Sequence, residues 1–306
     1  MKQGGGFIRM YEARVLPFLT WPEEKAGKIG ELRSRFPMEL GVLVNRYVDP
    51  FVGGGSVLFE VMSTPGMQEG VISDINPELV NTYKQVQLHV DDLLSHLQSL
   101  ENQFLERSWQ EKIEFYKTCR LRYLYLKDSS REDILVRKAA IFILLNTTGC
   151  LCEKSSDGFF ITENRNRLIV PKQALRIPRI CDERKLRLAS RLLQNVKILC
   201  CDFKECLLHI DKHTFLYLDP PCTDTRADTA LEVGHGIRYA FTRRDTEAVI
   251  SVSKIARGLG AEVLTDPHIR FVLEKKIADK QKKAGNQKQE HSPVYKSSLE
   301  NLSCRN

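Results

Sequence analysis

A chain of 306 residues is long enough to bury a substantial core, as one large domain or two small ones. Its 42% hydrophobic and 28% charged residues are those of a soluble globular protein, and no apolar run reaches the roughly 18 residues that span a bilayer. The net charge of +7 suits a polyanionic partner; residues 275–305, with eight Lys or Arg against three acids, supply +5 of it. That basic segment reads equally as a solvated tail or as a phosphate-binding arm. Met1 to Met10 lack the charged-then-apolar pattern of a signal peptide, so the nine cysteines are expected as free thiols in a reducing, cytoplasmic setting. None of them forms a C-x-x-C pair, and no metal site is expected.

In chain order, an irregular arm becomes extended at Val15-Leu16-Pro17-Phe18-Leu19, and a loop from Trp21 to Lys28 opens a helix expected over Ile29 to Phe36. Strand, glycine turn and helix follow over 46–63, then a strand over 71–75. Asn76-Pro77 ends that strand, and the proline suits the first turn of a helix carrying Leu79, Val80, Tyr83 and Val86 at helical spacing. From Val90 to about Leu145 the texture changes to three amphipathic stripes: Leu93, Leu94, Leu97, Leu100 and Phe104; Phe115, Tyr116, Cys119, Tyr123 and Leu126; Val136, Ala140, Ile143 and Leu144. No strand signal interrupts them, so this stretch reads as a helical insertion.

Asn146 to Pro178 reads as loop, with Lys154, Arg165, Arg167 and Lys172 around Phe159-Phe160, a mixture suited either to a nucleic-acid loop or to an ordinary polar hairpin. A basic helix over Glu183 to Leu193, strands over Val196 to Cys200 and Thr214 to Leu218, a helix over Asp245 to Leu259 and a strand over Ala261 to Thr265 complete the pattern. A further strand over Pro293 to Leu299 is conceivable within the basic tail. With α/β texture on both sides of the insertion, one interrupted catalytic domain is the economical arrangement: residues 1–88 and 190–306, with 89–189 inserted.

Two stretches carry chemistry. In Tyr47-Val48-Asp49-Pro50-Phe51-Val52-Gly53-Gly54-Gly55-Ser56, glycines sit where a strand turns into a helix. There the backbone adopts positive φ, lets a ligand approach without meeting a Cβ, and aims its N–H groups at that ligand. Nineteen residues after Gly55, Asp74 closes the next strand, as an acid that holds a ribose does in doubly wound sheets. Alone, this pattern fits a dinucleotide site, a methyl-donor site or a plain turn. The second stretch is Leu218-Asp219-Pro220-Pro221-Cys222. Two prolines directly after a buried strand cannot continue the ladder, and they hold the Asp219 carboxylate and the Pro220 carbonyl as neighbouring acceptors at the strand's end. Such a pair matches an exocyclic amino group with two N–H donors, without a metal.

The order of these motifs resembles the Dam-type (D12 class) adenine-N6 DNA methyltransferases. Pro17-Phe18-Leu19-Thr20-Trp21 with Lys25 is similar to that family's N-terminal methyl-donor motif, and Asp49 to Ser56 resembles its glycine motif. Ser73-Asp74-Ile75-Asn76 looks like the ribose-binding segment, Asp202-Phe203 like the segment lining the donor adenine, Asp219-Pro220-Pro221 like the catalytic motif, and Tyr239 to Asp245 like the Y-x-F-T-x-x-D stretch beyond it.

The resemblance implies a Rossmann-like α/β methyltransferase sheet with a mainly helical insertion for DNA recognition. It implies S-adenosyl-L-methionine as donor, held by Trp21, Lys25, Asp49, Phe51, Gly53, Gly55, Asp74, Asp202, Phe203 and Asp219, and catalysis by Asp219, Pro220, Pro221 and Cys222. The implied substrate is a flipped-out adenine in double-stranded DNA, acted on by a cytoplasmic monomer with no membrane role, in a setting open to a restriction endonuclease partner.

The chain also departs from the pattern. Cys222 stands where the family has a base-stacking aromatic residue, Pro22-Glu23-Glu24-Lys25 lacks the usual A-G-G, Asn146 to Cys152 is a weak match to the motif after the insertion, and Leu264-Thr265-Asp266 replaces L-S-N. Two rival readings follow: a DNA-binding relative impaired in catalysis, and an amino-methylating enzyme acting on RNA or a protein amide.

Overall fold

The computed structural model describes residues 15–19, 29–126, 129–148, 179–221, 230–233 and 237–265. Its strands are β1 (Arg46–Asp49), β2 (Glu69–Asp74), β3 (Val196–Cys200), β4 (Thr214–Leu218), β5 (Ala230–Val233), β6 (Ile237–Ala240) and β7 (Glu262–Thr265). Five of them form one parallel sheet in the order β3-β2-β1-β4-β7, and β5 and β6 form a separate antiparallel hairpin. β1 and β4 are central, with Tyr47 opposite Gly70 on one side and Phe215 on the other. Every residue of β4 and all but the first of β1 is buried, as expected of parallel strands covered on both faces.

The helices are α1 (Ile29–Arg33), α2 (Ser56–Met62), α3 (Pro77–Leu88), α4 (Val90–Leu105), α5 (Trp109–Tyr125), α6 (Glu132–Thr148), α7 (Glu183–Leu193) and α8 (Arg243–Gly258), with a 3-10 helix at Phe203–His209. Asn76 caps α3 by accepting from the Glu78 and Leu79 N–H groups, with Pro77 at the first helical position. Ser108 with Glu111, and Thr242 with Asp245, form reciprocal capping boxes on α5 and α8. α3 and α7 pack against each other and β3, while α8 packs on β4, β7 and the 3-10 helix.

The three stripes expected as an insertion are α4, α5 and α6, and their buried residues join the same apolar core as α3 and the sheet. His89 both ends α3 and precedes α4, so the chain passes from the sheet-packing helix to α4 with almost no linker.

Several elements differ from expectation. α1 stops at Arg33 rather than Phe36, because the Arg35 and Phe36 N–H groups tighten onto Leu32 and Arg33 three residues back and Pro37 disfavours helix before it. α6 runs to Thr148, so Asn146 is helical rather than the start of a loop, and the Thr148 hydroxyl donates to the Leu144 carbonyl. α8 begins two residues before Asp245, set by the Thr242 cap. The 3-10 helix and the β5–β6 hairpin carried no periodic signal strong enough to be expected. The loop over 149–178 and the tail from 266 onward, including the strand considered at 293–299, lie outside the described residues. Among the described residues no helix is long and apolar enough to cross a membrane, and Cys119, Cys181, Cys200, Cys201 and Cys206 are free thiols.

Candidate active site

The sheet order reverses direction between β1 and β4, which makes the carboxyl ends of these strands the topological switch point where ligands bind in open α/β sheets. The glycine turn leaves β1 and the Asp-Pro-Pro segment leaves β4 at that point, with Asp74 ending β2 next door. The two informative stretches of sequence, some 165 residues apart, are therefore neighbours in the fold.

Gly53 and Gly55 have φ of 48° and 77°, the left-handed region that a side chain enters only at a cost. Tyr83, fully buried on α3, donates its hydroxyl to the Gly53 carbonyl at 3.0 Å and supports the turn from behind. Phe18 packs edge-on against Tyr83, with ring centroids 5.1 Å apart, and against Phe59. Thus the N-terminal arm, α2 and α3 meet under the turn. A Cβ on Gly55 would lie 2.4 Å from the Tyr83 hydroxyl oxygen and 3.1 Å from the Phe59 ring. Gly55→Ala should therefore displace Tyr83 in addition to about 1–2 kcal/mol of backbone strain. Calorimetry should show affinity for the methyl donor that the resemblance implies reduced by at least about tenfold, since each 1.36 kcal/mol is a factor of ten.

Asp74 is half-buried, and its carboxylate accepts the Asn76 N–H at 2.9 Å, with the backbone amides of Gly53 and Ile75 also favouring its charged form. Burial outweighs these bonds and raises its pKa to about 6. The strand end that carries this acid is tied to the turn by the Val52 N–H, which donates to the Ser73 carbonyl at 3.2 Å. A ribose hydroxyl donates to a carboxylate better than to a carboxylic acid, so donor affinity should fall as pH drops through about 6, where Asp74 takes up a proton. Asp74→Asn should remove that pH dependence and weaken binding at neutral pH by about 1–3 kcal/mol. Calorimetric titration between pH 5 and pH 8 checks both expectations; a wild-type affinity flat over that range counts against the ribose assignment.

Asp49 is 2% exposed, and both oxygens are engaged: Tyr47 donates its hydroxyl to Oδ2 at 2.9 Å and the Phe51 N–H donates to Oδ1 at 3.0 Å. Burial pushes its pKa to about 7 against these two bonds, and the nearby Asp219 and Asp74 add to the rise. Its placement makes it a brace that shapes the turn from inside the sheet. Asp219 is half-buried just beyond β4 and accepts the Tyr217 hydroxyl at 3.2 Å, followed by the buried Pro220.

Asp202, expected beside a bound adenine, caps the 3-10 helix by accepting the Lys204 N–H at 2.9 Å. Its neighbour Phe203 is buried and stands 5.3 Å, centroid to centroid, from Phe51 of the glycine turn; Phe241, just before α8, lies 6.1 Å from Phe51 and 6.3 Å from Phe203. This aromatic cluster bridges the ends of β1, β3 and β6. Phe241 and Tyr83 are the residues that sequence reasoning missed as parts of the site. Phe241 stood within the Tyr239 to Asp245 resemblance, but only the fold brings it to Phe51. Trp21, Lys25 and Cys222 lie outside the described residues.

The residues brought together are a backbone-exposing turn, an aromatic wall and acidic groups on three adjacent strands. The sequence model of the D12 class N6 adenine-specific DNA methyltransferases matches residues 25–251. A type II methyltransferase of Methanocaldococcus jannaschii, M.MjaIII, is 36% identical over 208 residues, covering 68% of this chain and 69% of that protein. The type II methyltransferase M1.LlaDCHI of Lactococcus lactis subsp. cremoris is 26% identical over 87% of this chain and 90% of its own length. A DNA adenine methylase of Haemophilus influenzae is 26% identical over 70% of this chain and 66% of its own. With its glycine turn, Asp74 and Asp-Pro-Pro segment assembled at one switch point, and with most of its length inside the family match, this chain belongs to the D12 class of N6 adenine-specific DNA methyltransferases.

Proposed function

We propose that the chain transfers a methyl group from S-adenosyl-L-methionine to the exocyclic amino nitrogen of an adenine flipped out of double-stranded DNA. The observation that carries this reading is the meeting of the glycine turn and Asp219 on the adjacent strands β1 and β4. The donor set fits the proposed methyl donor: Asp74 offers a carboxylate to ribose hydroxyls, Phe51 and Phe203 offer aromatic faces, and Gly53 and Gly55 keep the turn free of side chains where the methionine end would lie. When bound, S-adenosylmethionine supplies an electrophilic methyl group on a sulfonium.

The chain's own work is positioning and electrostatics. The Asp219 carboxylate and the Pro220 carbonyl accept the two amino N–H groups, which holds the nitrogen in place and directs its lone pair outward. The amino group is buried in the duplex, so the base must leave the stack before it reaches Asp219. In this reading α4 to α6, with the segment up to residue 189, form the part that recognises the DNA target. The basic stretch 275–305 adds phosphate contacts. The type II names of two relatives support a setting open to a restriction endonuclease partner, in which the chain acts as a cytoplasmic monomer.

Incubation with tritiated donor and unmethylated genomic DNA, total RNA or mixed protein should put label in DNA, recovered as N6-methyladenine. Label in RNA or protein instead overturns the acceptor assignment, and DNA binding without label in any acceptor supports a binding-only protein. Cys222→Tyr should speed labelling at limiting DNA, because an aromatic face at that position adds about 1–3 kcal/mol of stacking on the extruded base. A slower or dead Cys222→Tyr protein, beside an active unaltered one, means that the base pocket is built around cysteine.

A further inference from the structure

Alternate residues of a strand share a face, so Tyr47 and Asp49 point to one side of β1, and Tyr217 and Asp219 to one side at the end of β4. The two strands thus carry the same pairing, a tyrosine two residues before an acid, with the phenol donating to that acid at 2.9 Å and 3.2 Å respectively. The register pairs Tyr47 with Phe215 and Val48 with Leu216, so its continuation by one residue sets Asp49 beside Tyr217. The four polar groups form a staggered row, from buried Tyr47 through Asp49 and Tyr217 to Asp219 at the open end. Tyr47 packs its ring on Phe215, 5.8 Å between centroids, and both it and Tyr217 are buried. Burial, and then the charges of Asp49 and Asp219, keep the Tyr47 phenol protonated. A neutral phenol in this row acts as a fixed hydrogen-bond donor.

A buried phenol is an expensive way to fill space at a strand end, because its hydroxyl must be hydrogen-bonded. Phenylalanine would pack the same ring with no such requirement. The hydroxyl of Tyr217 meets a carboxylate that must keep one orientation to receive an amino group.

We propose that Tyr217 is a positioning residue for methyl transfer: its hydroxyl fixes the rotamer and charge of the Asp219 carboxylate, and the Tyr47–Asp49 pair braces it from the neighbouring strand. The inference rests on the assignment of Asp219 to the acceptor amino group. It adds that Asp219 is held by a neighbour which itself touches neither donor nor base. A hydrogen bond donated to a carboxylate favours its charged form. Removing it both frees the side chain to rotate and makes the group easier to protonate.

Tyr217→Phe should lower kcat by about tenfold or more, the factor that a hydrogen bond to a charged group supplies. Donor affinity and melting temperature should stay close to those of the unaltered protein. The acidic limb of the kcat profile should move to higher pH by about one unit, which loss of packing alone would not produce. NMR titration of carboxyl-13C-aspartate reads the same shift directly at Asp219, without turnover. Incorporation of 3-fluorotyrosine at position 217, which keeps the ring and strengthens the donor, should move the Asp219 midpoint the other way and serves if the phenylalanine variant folds poorly. A Tyr217→Phe protein with unchanged kcat and an unchanged Asp219 midpoint, while Asp219→Ala is dead, overturns this inference alone. An active Asp219→Ala protein overturns the assignment of Asp219 itself.

Discussion

Replacing Asp219 by alanine is expected to reduce methyl transfer by roughly a thousandfold or more, while donor affinity stays within a few fold. The carboxylate ends β4 beside the glycine turn, but the turn itself is held by other groups: Tyr83 at the Gly53 carbonyl, the Ser73 carbonyl at the Val52 N–H and Asp49 at the Phe51 N–H. None of these bonds involves Asp219, so its loss leaves the donor's surroundings in place. On the proposed assignment, what disappears is a preorganised acceptor aimed at the amino group as its nitrogen becomes positively charged on attack. Removing one such preorganised group from an active site typically costs about 10²–10³ in kcat. Here the positioning of the nucleophile is lost with it. The signature is therefore a fall in kcat and kcat/KM together with an almost unchanged donor dissociation constant. Asp219→Asn should rank between the two, since an amide oxygen still accepts but carries no charge. A variant with near-normal turnover would falsify the catalytic assignment.

The parts of this site that were legible in the sequence are those whose geometry is set locally. Gly53 and Gly55 announce positive φ, Asp74 and Asp219 mark strand ends, and two prolines forbid continuation of β4. Strands buried on both faces read as apolar runs, and α3 to α7 read through helical periodicity. The supports of the site were not legible, because each is a contact between distant positions. The Tyr83 hydroxyl reaches a carbonyl 30 residues earlier, and Phe241 meets Phe51 only once the sheet order has formed. Asp202 also caps the 3-10 helix, a role its resemblance to an adenine-lining segment did not suggest, and 3-10 turns are too short to show a period. The repeated tyrosine-x-aspartate pairing is an intermediate case. Alternation alone places each phenol on the face of its acid, but the register of β1 against β4 is needed to bring the two pairs into one row.

The second large effect is expected away from the sheet ends, where α3 meets α5 and α6. Lys138 of α6 and Glu78 of α3 form an ion pair at 2.6 Å with side chains only 3% and 6% exposed, and Tyr123 of α5 donates its hydroxyl to the other Glu78 oxygen at 2.6 Å. The Lys138 ammonium also lies 5.5 Å from the centre of the Tyr123 ring. One buried carboxylate thus gathers three helices, and α3 is the helix that carries Tyr83 to the glycine turn. Taking one partner from a buried pair leaves an uncompensated charge, so Lys138→Met should destabilise the fold by about 3–5 kcal/mol. Glu78→Leu should cost at least as much, since it leaves both Lys138 and Tyr123 without this acceptor. The double variant Glu78→Leu with Lys138→Met should lose clearly less than the sum of the two, because no buried charge remains to be compensated. Chemical denaturation of the four proteins of this cycle measures the coupling. Because α3 also supports the glycine turn, on the proposed donor assignment the Lys138→Met protein should regain part of its stability at saturating S-adenosylmethionine, by the free energy that ligand binding to the native state adds. Additive losses in the cycle would show that the ion pair contributes no coupling between α3 and α6 beyond the packing of their apolar faces.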